Sequence, residues 1–184
     1  MNKSRQGGVT LVEILVALLV LAFGLIGLAG LQATAMTNNQ VSFQYSQATM
    51  LAQNIAERMR ANRDGVVANA YEFAAGVPGD PDVNCASSTC TSAEQAAWDL
   101  ASWYASVAKL STPYTNVPAG PSANLPSAKV SVVCAAASLS ACNQDSQRLV
   151  TVYWNADRAA NPSGLSCDSS SSADLRCFRL AFVP

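Results

Sequence analysis

The sequence predicts an α+β protein with one long N-terminal helix, one short additional helix and a small antiparallel β-sheet. Two observations predict this class. Residues 9–31 form an unbroken apolar run in which Glu13 is the only charged residue, as expected of a membrane-spanning helix. Three runs rich in β-branched and aromatic residues follow late in the chain, at 129–134, 148–154 and 176–183, and turn residues separate them. Their order suits an antiparallel meander.

The composition excludes several classes of function. The chain has 184 residues, and its 11 Lys and Arg against 12 Asp and Glu give a net charge of -1. This balance does not favour nucleic acid as a partner. Histidine is absent, which removes the commonest general base near neutral pH. The sequence has no phosphate-binding, dinucleotide-binding or metalloprotease motif, so we expect neither an enzymatic role nor a cofactor.

The apolar run is long enough to cross a bilayer. As a helix, residues 9–31 reach about 35 Å, against a hydrocarbon core of about 30 Å. Lys3 and Arg5 precede the run, and positive residues favour the cytoplasmic side, so we expect the rest of the chain to face the periplasm. The alternative is an ordinary secretory signal cleaved after residues 33–35, Ala-Thr-Ala. The length of the run and the carboxylate inside it disfavour that alternative.

Residues 7–13, GGVTLVE, resemble the N-terminal signal of type IV prepilins and of type II secretion pseudopilins. The resemblance implies that a membrane prepilin peptidase cleaves the chain after Gly8. It also implies methylation of the new amino terminus at Val9, where this family commonly has Phe. A subunit of this kind stays in the inner membrane until it enters a filament at the cell surface.

Glu13 is the first candidate functional residue. A carboxylate inside an apolar span costs about 2.5 to 3.5 kcal/mol at mid-helix, and such residues usually serve a function. The resemblance implies a partner, the amino group of Val9 on a neighbouring subunit, so that Glu13 docks subunits within the membrane. The alternative is that Glu13 lies near the cytoplasmic interface and reaches water there. Three glycines in the span, at 24, 27 and 30, suit close helix packing, or they reflect the general frequency of glycine in membrane helices.

The helical pattern continues beyond the apolar run. Apolar residues recur every three or four positions, which predicts one continuous helix of about 80 Å from Val9 to about Asn62. These apolar positions are Val41, Tyr45, Ala48, Leu51, Ile55 and Met59. The basic residues at the end of the helix, which we expect to be solvated, are Arg58, Arg60 and Arg63. Together with the resemblance, the pattern predicts the type IV pilin-like lollipop, in which the second half of the helix packs on a head.

The end of this helix carries a second resemblance. Residues 51–65, LAQNIAERMRANRDG, closely resemble the same segment of PilV-type minor pilins. This implies a minor subunit of a type IV pilus that helps to initiate pilus assembly and lies in the tip complex, and that serves adhesion and twitching motility. The implied partners are other minor pilins, the major pilin, the prepilin peptidase, the inner-membrane assembly platform and a tip adhesin. The alternatives are a minor pseudopilin of type II secretion and a secreted or membrane-tethered periplasmic protein.

The predicted organisation has four parts. They are a leader peptide at 1–8, a transmembrane helix at 9–31, the amphipathic periplasmic half of the same helix at 32–64, and a globular periplasmic head at 65–184. In the head, Thr91 and Glu94 have the spacing of a capping box that opens a second helix through about Leu110. The large apolar residues of that helix, which we expect in the core and in interfaces, are Trp98, Leu100, Trp103, Tyr104 and Val107.

All six cysteines lie beyond residue 84, which favours disulfides outside the cytoplasm. Six cysteines allow 15 pairings. Close neighbours along the chain favour three local pairs, which are Cys85 with Cys90, Cys134 with Cys142, and Cys167 with Cys177. Buried free thiols and a zinc site are the alternatives, although no C-x-x-C spacing is present. The loop between the last pair resembles the disulfide-bounded region of pilins, which commonly contacts other subunits. A solvated loop without such contacts is equally compatible with its composition.

One stretch has part of the pattern of a calcium loop. Asp80, Asp82 and Asn84 alternate in the required way. However, Cys85 replaces the glycine that the turn requires, and Thr91 stands where a closing Glu is needed. We therefore expect no metal site here.

Overall fold

The computed structural model describes residues 8, 10–108, 113–118, 120–123, 125–136, 142–156, 162–168, 171 and 173–184. The chain divides into two compact units, Met1–Ser42 and Phe43–Pro184, and the boundary falls inside the first helix. The elements in chain order are α1 (Leu11–Ala61), α2 (Arg63–Val67), β1 (Phe73–Gly76), α3 (Ser92–Val107), β2 (Lys129–Cys134), β3 (Arg148–Trp154) and β4 (Arg176–Phe182). The predicted four-part organisation stays a prediction.

The first unit consists of the N-terminal part of α1. Within α1, one window of 18 residues has a mean hydropathy of 2.8 and none of its residues is buried. The helix is therefore long and apolar enough to cross a membrane. A Cβ added to Gly24, Gly27 or Gly30 would meet no atom within 4 Å, so this surface is open to close approach by another helix.

The second unit is built on one antiparallel sheet with the strand order β1-β2-β3-β4. Strands β2 and β3 pair from Lys129 opposite Tyr153 to Cys134 opposite Arg148. Strands β3 and β4 pair at seven consecutive positions. These three strands confirm the predicted meander.

The core of the second unit lies where the later part of α1, helix α3 and one face of the sheet meet. The sheet contributes alternate residues, which are Val130, Val132, Val150, Val152, Trp154 and Phe182. Helix α1 contributes Ala48, Ala52 and Ala56, all buried, at intervals of four residues. Such small residues on one helix face let neighbouring elements approach closely. From α3, Trp103 and Val107 are fully buried.

The structure also contains two elements that the sequence did not predict. Helix α2 is only five residues long, and it begins where Asn62 accepts a 3.2 Å hydrogen bond from the amide of Gly65. Strand β1 has the sequence FAAG, and it lacks the β-branched residues that mark a strand. It forms because it pairs with β2, so its structure depends on a distant part of the chain.

Candidate functional site

The N-terminal end of α1 is the first part of the candidate site. Thr10 caps the helix, since its side-chain oxygen accepts a 3.3 Å hydrogen bond from the amide of Glu13. Glu13 is exposed and lies in the first turn, where a carboxylate offsets the helix dipole. Gly8 is exposed too. Residues 1–7 and Val9 lie outside the described residues, so of the two residues at the predicted cleavage site only Gly8 is described.

Helix α1 in the second unit is held by two tryptophans. The indole of Trp154 donates a 3.1 Å hydrogen bond to Oε1 of the buried Gln44, and its ring meets Tyr45 edge-on at 4.9 Å. The indole of Trp103 donates a 2.8 Å hydrogen bond to the carbonyl of Leu51. Both tryptophans are fully buried. The head is therefore attached to the helix by directed bonds as well as by apolar contact.

A buried carboxylate joins the last turns of α1 to α3. Asp99 on α3 is 4% exposed and accepts hydrogen bonds from Arg58 at 3.3 Å, Gln95 at 3.0 Å and Tyr71 at 2.5 Å. Arg58 also donates to Ser102 at 2.7 Å. Burial, followed by the hydrogen bond to Asp99, raises the pKa of Tyr71 well above that of a free phenol.

The expectation that the three arginines are solvated is wrong for Arg58. Its guanidinium is part of this network and stands 5.9 Å from the ring centre of Trp98. Arg60 is more exposed, but it pairs with Glu57 at 2.6 Å and stacks 5.1 Å from the ring centre of Phe182. Spacing along a helix does not reveal such contacts, because the partners come from other elements.

A second ion pair, in which the arginine is buried, joins β3 to the segment before β1. Arg148, with its side chain 1% exposed, forms an ion pair with Glu72. It also donates to the carbonyl of Val66 at 3.2 Å and to the side chain of Asn69 at 3.1 Å. Glu72 in turn accepts a 3.0 Å hydrogen bond from the amide of Cys134. Nothing in the sequence around these residues predicted the cluster.

The structure brings together each of the three neighbouring cysteine pairs. Their sulfur atoms form disulfides of 5, 8 and 10 residues separation, which are Cys85–Cys90, Cys134–Cys142 and Cys167–Cys177. The described part of the chain contains no free cysteine. Each disulfide closes one loop of the head and constrains only nearby chain.

The stretch with calcium-like spacing has another role in the fold. Asp80 accepts hydrogen bonds from the amides of Thr115, at 2.7 Å, and Asn116, at 3.4 Å. These bonds, above all the one from Thr115, lower the pKa of Asp80. The side chain of Asn116 donates to the carbonyls of Pro81 and Asp82. The loop thus anchors the segment after α3.

The capping box at the start of α3 is confirmed. Thr91 accepts from the amide of Glu94 at 3.3 Å, and Glu94 accepts from the amide of Thr91 at 2.7 Å. The hydrogen bond from the Thr91 amide lowers the pKa of Glu94. Helix α3 ends at Val107, and the predicted end at Leu110 lies outside the described residues.

Two family models match the chain. The model of the prokaryotic N-terminal methylation motif matches residues 3–29, and the model described as type IV pilin Tt1218 matches residues 30–101. The matches adjoin, and together they cover more than half of the chain. No curated protein and no solved structure matches it.

The chain has a methylation motif that leads into a long apolar helix, followed by a small four-stranded sheet, a short helix and disulfides. These features define a class of structural, not enzymatic, proteins. The chain belongs to the type IV pilins. It has the fold of that family, and the long apolar helix fits membrane anchoring. Membership implies assembly with other pilins in a pilus.

Proposed function

We propose that this chain is a PilV-type minor subunit of a type IV pilus that helps to initiate assembly and lies in the tip complex. The observation that carries the pilus role is the junction at Gly8 followed by an apolar helix with Glu13 near its start. The amino-acid sequence of residues 51–65 favours the PilV type. Within that segment, Arg58 holds the end of α1 to the head. A subunit with these properties serves adhesion and twitching motility through the pilus.

In this proposal the chain first spans the inner membrane with its N-terminus in the cytoplasm and its head in the periplasm. Lys3 and Arg5 before the apolar run support this orientation. The prepilin peptidase removes residues 1–8 and methylates Val9. Glu13 then pairs with the amino group of Val9 in a neighbouring subunit, so that two groups that are costly in lipid neutralise each other. The head meets other minor pilins, the major pilin and a tip adhesin.

The proposal is tested on pili sheared from cells that carry a tagged copy of the chain. We expect the mature protein to begin with N-methylated Val9 and to occur at a small fraction of the amount of the major pilin. Deleting the gene should lower pilus number and twitching and leave type II secretion intact. A mature protein beginning at Met36 would support an ordinary secretory signal, and a secretion defect with normal pili would identify a pseudopilin.

A further inference from the structure

Strand β4 is an open edge of the sheet. Among the strands in the described part of the chain it pairs only with β3, at seven consecutive positions without a bulge. The other edge, β1, has only four residues and an irregular register. None of the described loops is hydrogen-bonded to the backbone of residues 177–183. One side of β4 therefore presents a row of amide and carbonyl groups that another strand can use.

The side chains of β4 suit an additional strand. Phe178 and Leu180 pack against the core but stay half-buried, and no described strand lies on the outer side of β4. Val183, just beyond the strand, is 50% exposed. The side chains of an added strand would cover this apolar surface, since neighbours across a strand pair lie about 4.5–5.5 Å apart.

The charged residues of β4 indicate what kind of segment could pair with it. Arg176 and Arg179 are the only charged side chains between residues 175 and 184. Arg179 is exposed, and none of the described carboxylates forms an ion pair with it. Pairing of β4 with β4 of a second copy would bring arginines of like charge close together, which is unfavourable. An extended segment that carries Asp or Glu has the complementary charge.

We propose that the β4 edge binds an extended acidic segment of a partner protein as a fifth strand. Backbone hydrogen bonds supply the general attraction, and a carboxylate opposite Arg179 supplies the selectivity. This interaction surface lies in the head and goes beyond the proposed role of the chain in the pilus, because it requires neither cleavage at Gly8 nor Glu13. A purely protective role for Arg179, which would keep other strands away from the edge, is the competing explanation.

The test uses the full chain in detergent micelles and two seven-residue peptides, one alternating Val with Glu and one alternating Val with Lys. The readout is amide hydrogen exchange in β4. We expect the Val–Glu peptide to slow exchange at residues 177–183 several-fold and the Val–Lys peptide to have no effect. Arg179→Glu should reverse this preference. The control Arg63→Glu makes the same change in charge at an exposed residue outside the sheet, and it should leave the preference unchanged.

A third peptide separates strand addition from simple charge attraction. It has the Val–Glu sequence with every backbone nitrogen methylated, and it should lose the protection because methylation then removes the amide donors on both edges of the peptide. Equal protection by the methylated peptide, or no protection by any peptide, would overturn the proposal. Protection that rises with the concentration of the chain alone would identify a second copy as the occupant and also overturn it. Exchange in β2 and β3 verifies that each variant is folded.

Discussion

The phenol of Tyr71 donates a 2.5 Å hydrogen bond to Oδ2 of Asp99, and so joins the segment after α2 to the middle of α3. Both residues are buried. Tyr71→Phe removes this donor and leaves a carboxylate oxygen less well satisfied, which should cost about 1–3 kcal/mol in the free energy of unfolding. Urea unfolding of the full chain in micelles, followed by tryptophan fluorescence, measures this loss. Tyr45→Phe, which keeps the ring that packs on Trp154, should have little effect.

Buried tyrosines make the stability of the protein depend on pH in the alkaline range. Burial raises the pKa of Tyr71 above the value of about 10 that a tyrosine has in an unfolded chain. Burial likewise raises the pKa of Tyr114 to about 12. The contribution of each group is therefore complete below pH about 10 and is lost as the pH rises toward the folded-state pKa. Tyr71→Phe should reduce the loss of stability between pH 9 and 11. An unchanged pH dependence would contradict the assignment to Tyr71.

Gly65 occupies a position without room for a side chain. A Cβ there would lie 2.6 Å from Nδ2 of Asn62 and 2.9 Å from the carbonyl of Ser92. Gly65→Ala should therefore destabilise the head by about 1–3 kcal/mol, since the backbone of the α3 N-terminus has to move. Gly79→Ala is the matched control, because its Cβ would meet nothing within 4 Å. Equal stability of the two variants in urea would show that the neighbourhood of Gly65 adapts freely.

Arg148 carries a buried charge whose partners come from another part of the head. Arg148→Met leaves Glu72 with less compensation and should lower the free energy of unfolding by about 3–5 kcal/mol. Arg179→Met, at an exposed position of the same sheet, should change it by less than about 0.5 kcal/mol. Adding Glu72→Gln to Arg148→Met should recover part of the loss. If the double variant is as unstable as the single one, the lost contacts to Val66 and Asn69 dominate.

The three disulfides are local, so each should be found within a short stretch of chain. Peptide mapping without reduction should link Cys167 to Cys177. Serine at both positions of the Cys85–Cys90 pair should cost about 2 kcal/mol, since a short loop constrains the unfolded chain only modestly. A link between cysteines of different pairs, or free thiols in the purified protein, would refute this connectivity.

Loss of the carboxylate of Glu13 should impair assembly into pili but not cleavage of the leader peptide. Glu13→Ala and Glu13→Gln should still be cleaved after Gly8, while their amount in sheared pili falls sharply, because the amino group of a neighbour remains unpaired in lipid. Glu57→Ala removes an exposed carboxylate from the same helix and should enter pili normally. Incorporation of Glu13→Ala at the wild-type level would mean that Glu13 is a tolerated residue near the interface.

The sequence predicted the elements that depend on local signals. Helix α3 is an example, because the capping box of Thr91 and Glu94 lies within one turn of the helix that it starts. The stripe on α1 was predicted only in part. Ala48, Ile55 and Met59 are buried as expected, but Tyr45 is 37% exposed. The buried positions that periodicity missed are Gln44, Ala52 and Ala56.

These misses have one physical cause. Gln44 is buried because a tryptophan more than a hundred residues later donates to it, and Asp99 is buried because Arg58, Gln95 and Tyr71 satisfy it. The sequence around a polar residue does not reveal a hydrogen-bond partner that lies far along the chain. Strand β1 was missed for the same reason, since its pairing with β2 outweighs the weak strand preference of Ala and Gly.

Arg148 also sets an order of events during folding. The N-terminal helix is synthesised first. The guanidinium of Arg148 contacts Glu72, Asn69 and Val66, and it follows them in the chain by 76, 79 and 82 residues. Contacts of such long separation form late and slow the completion of a fold. The first half of the head is therefore synthesised before its partly buried carboxylate has a counter-charge. The charge of Glu72 is compensated only once β3 has been made, so the first half of the head cannot complete its packing without the later strands.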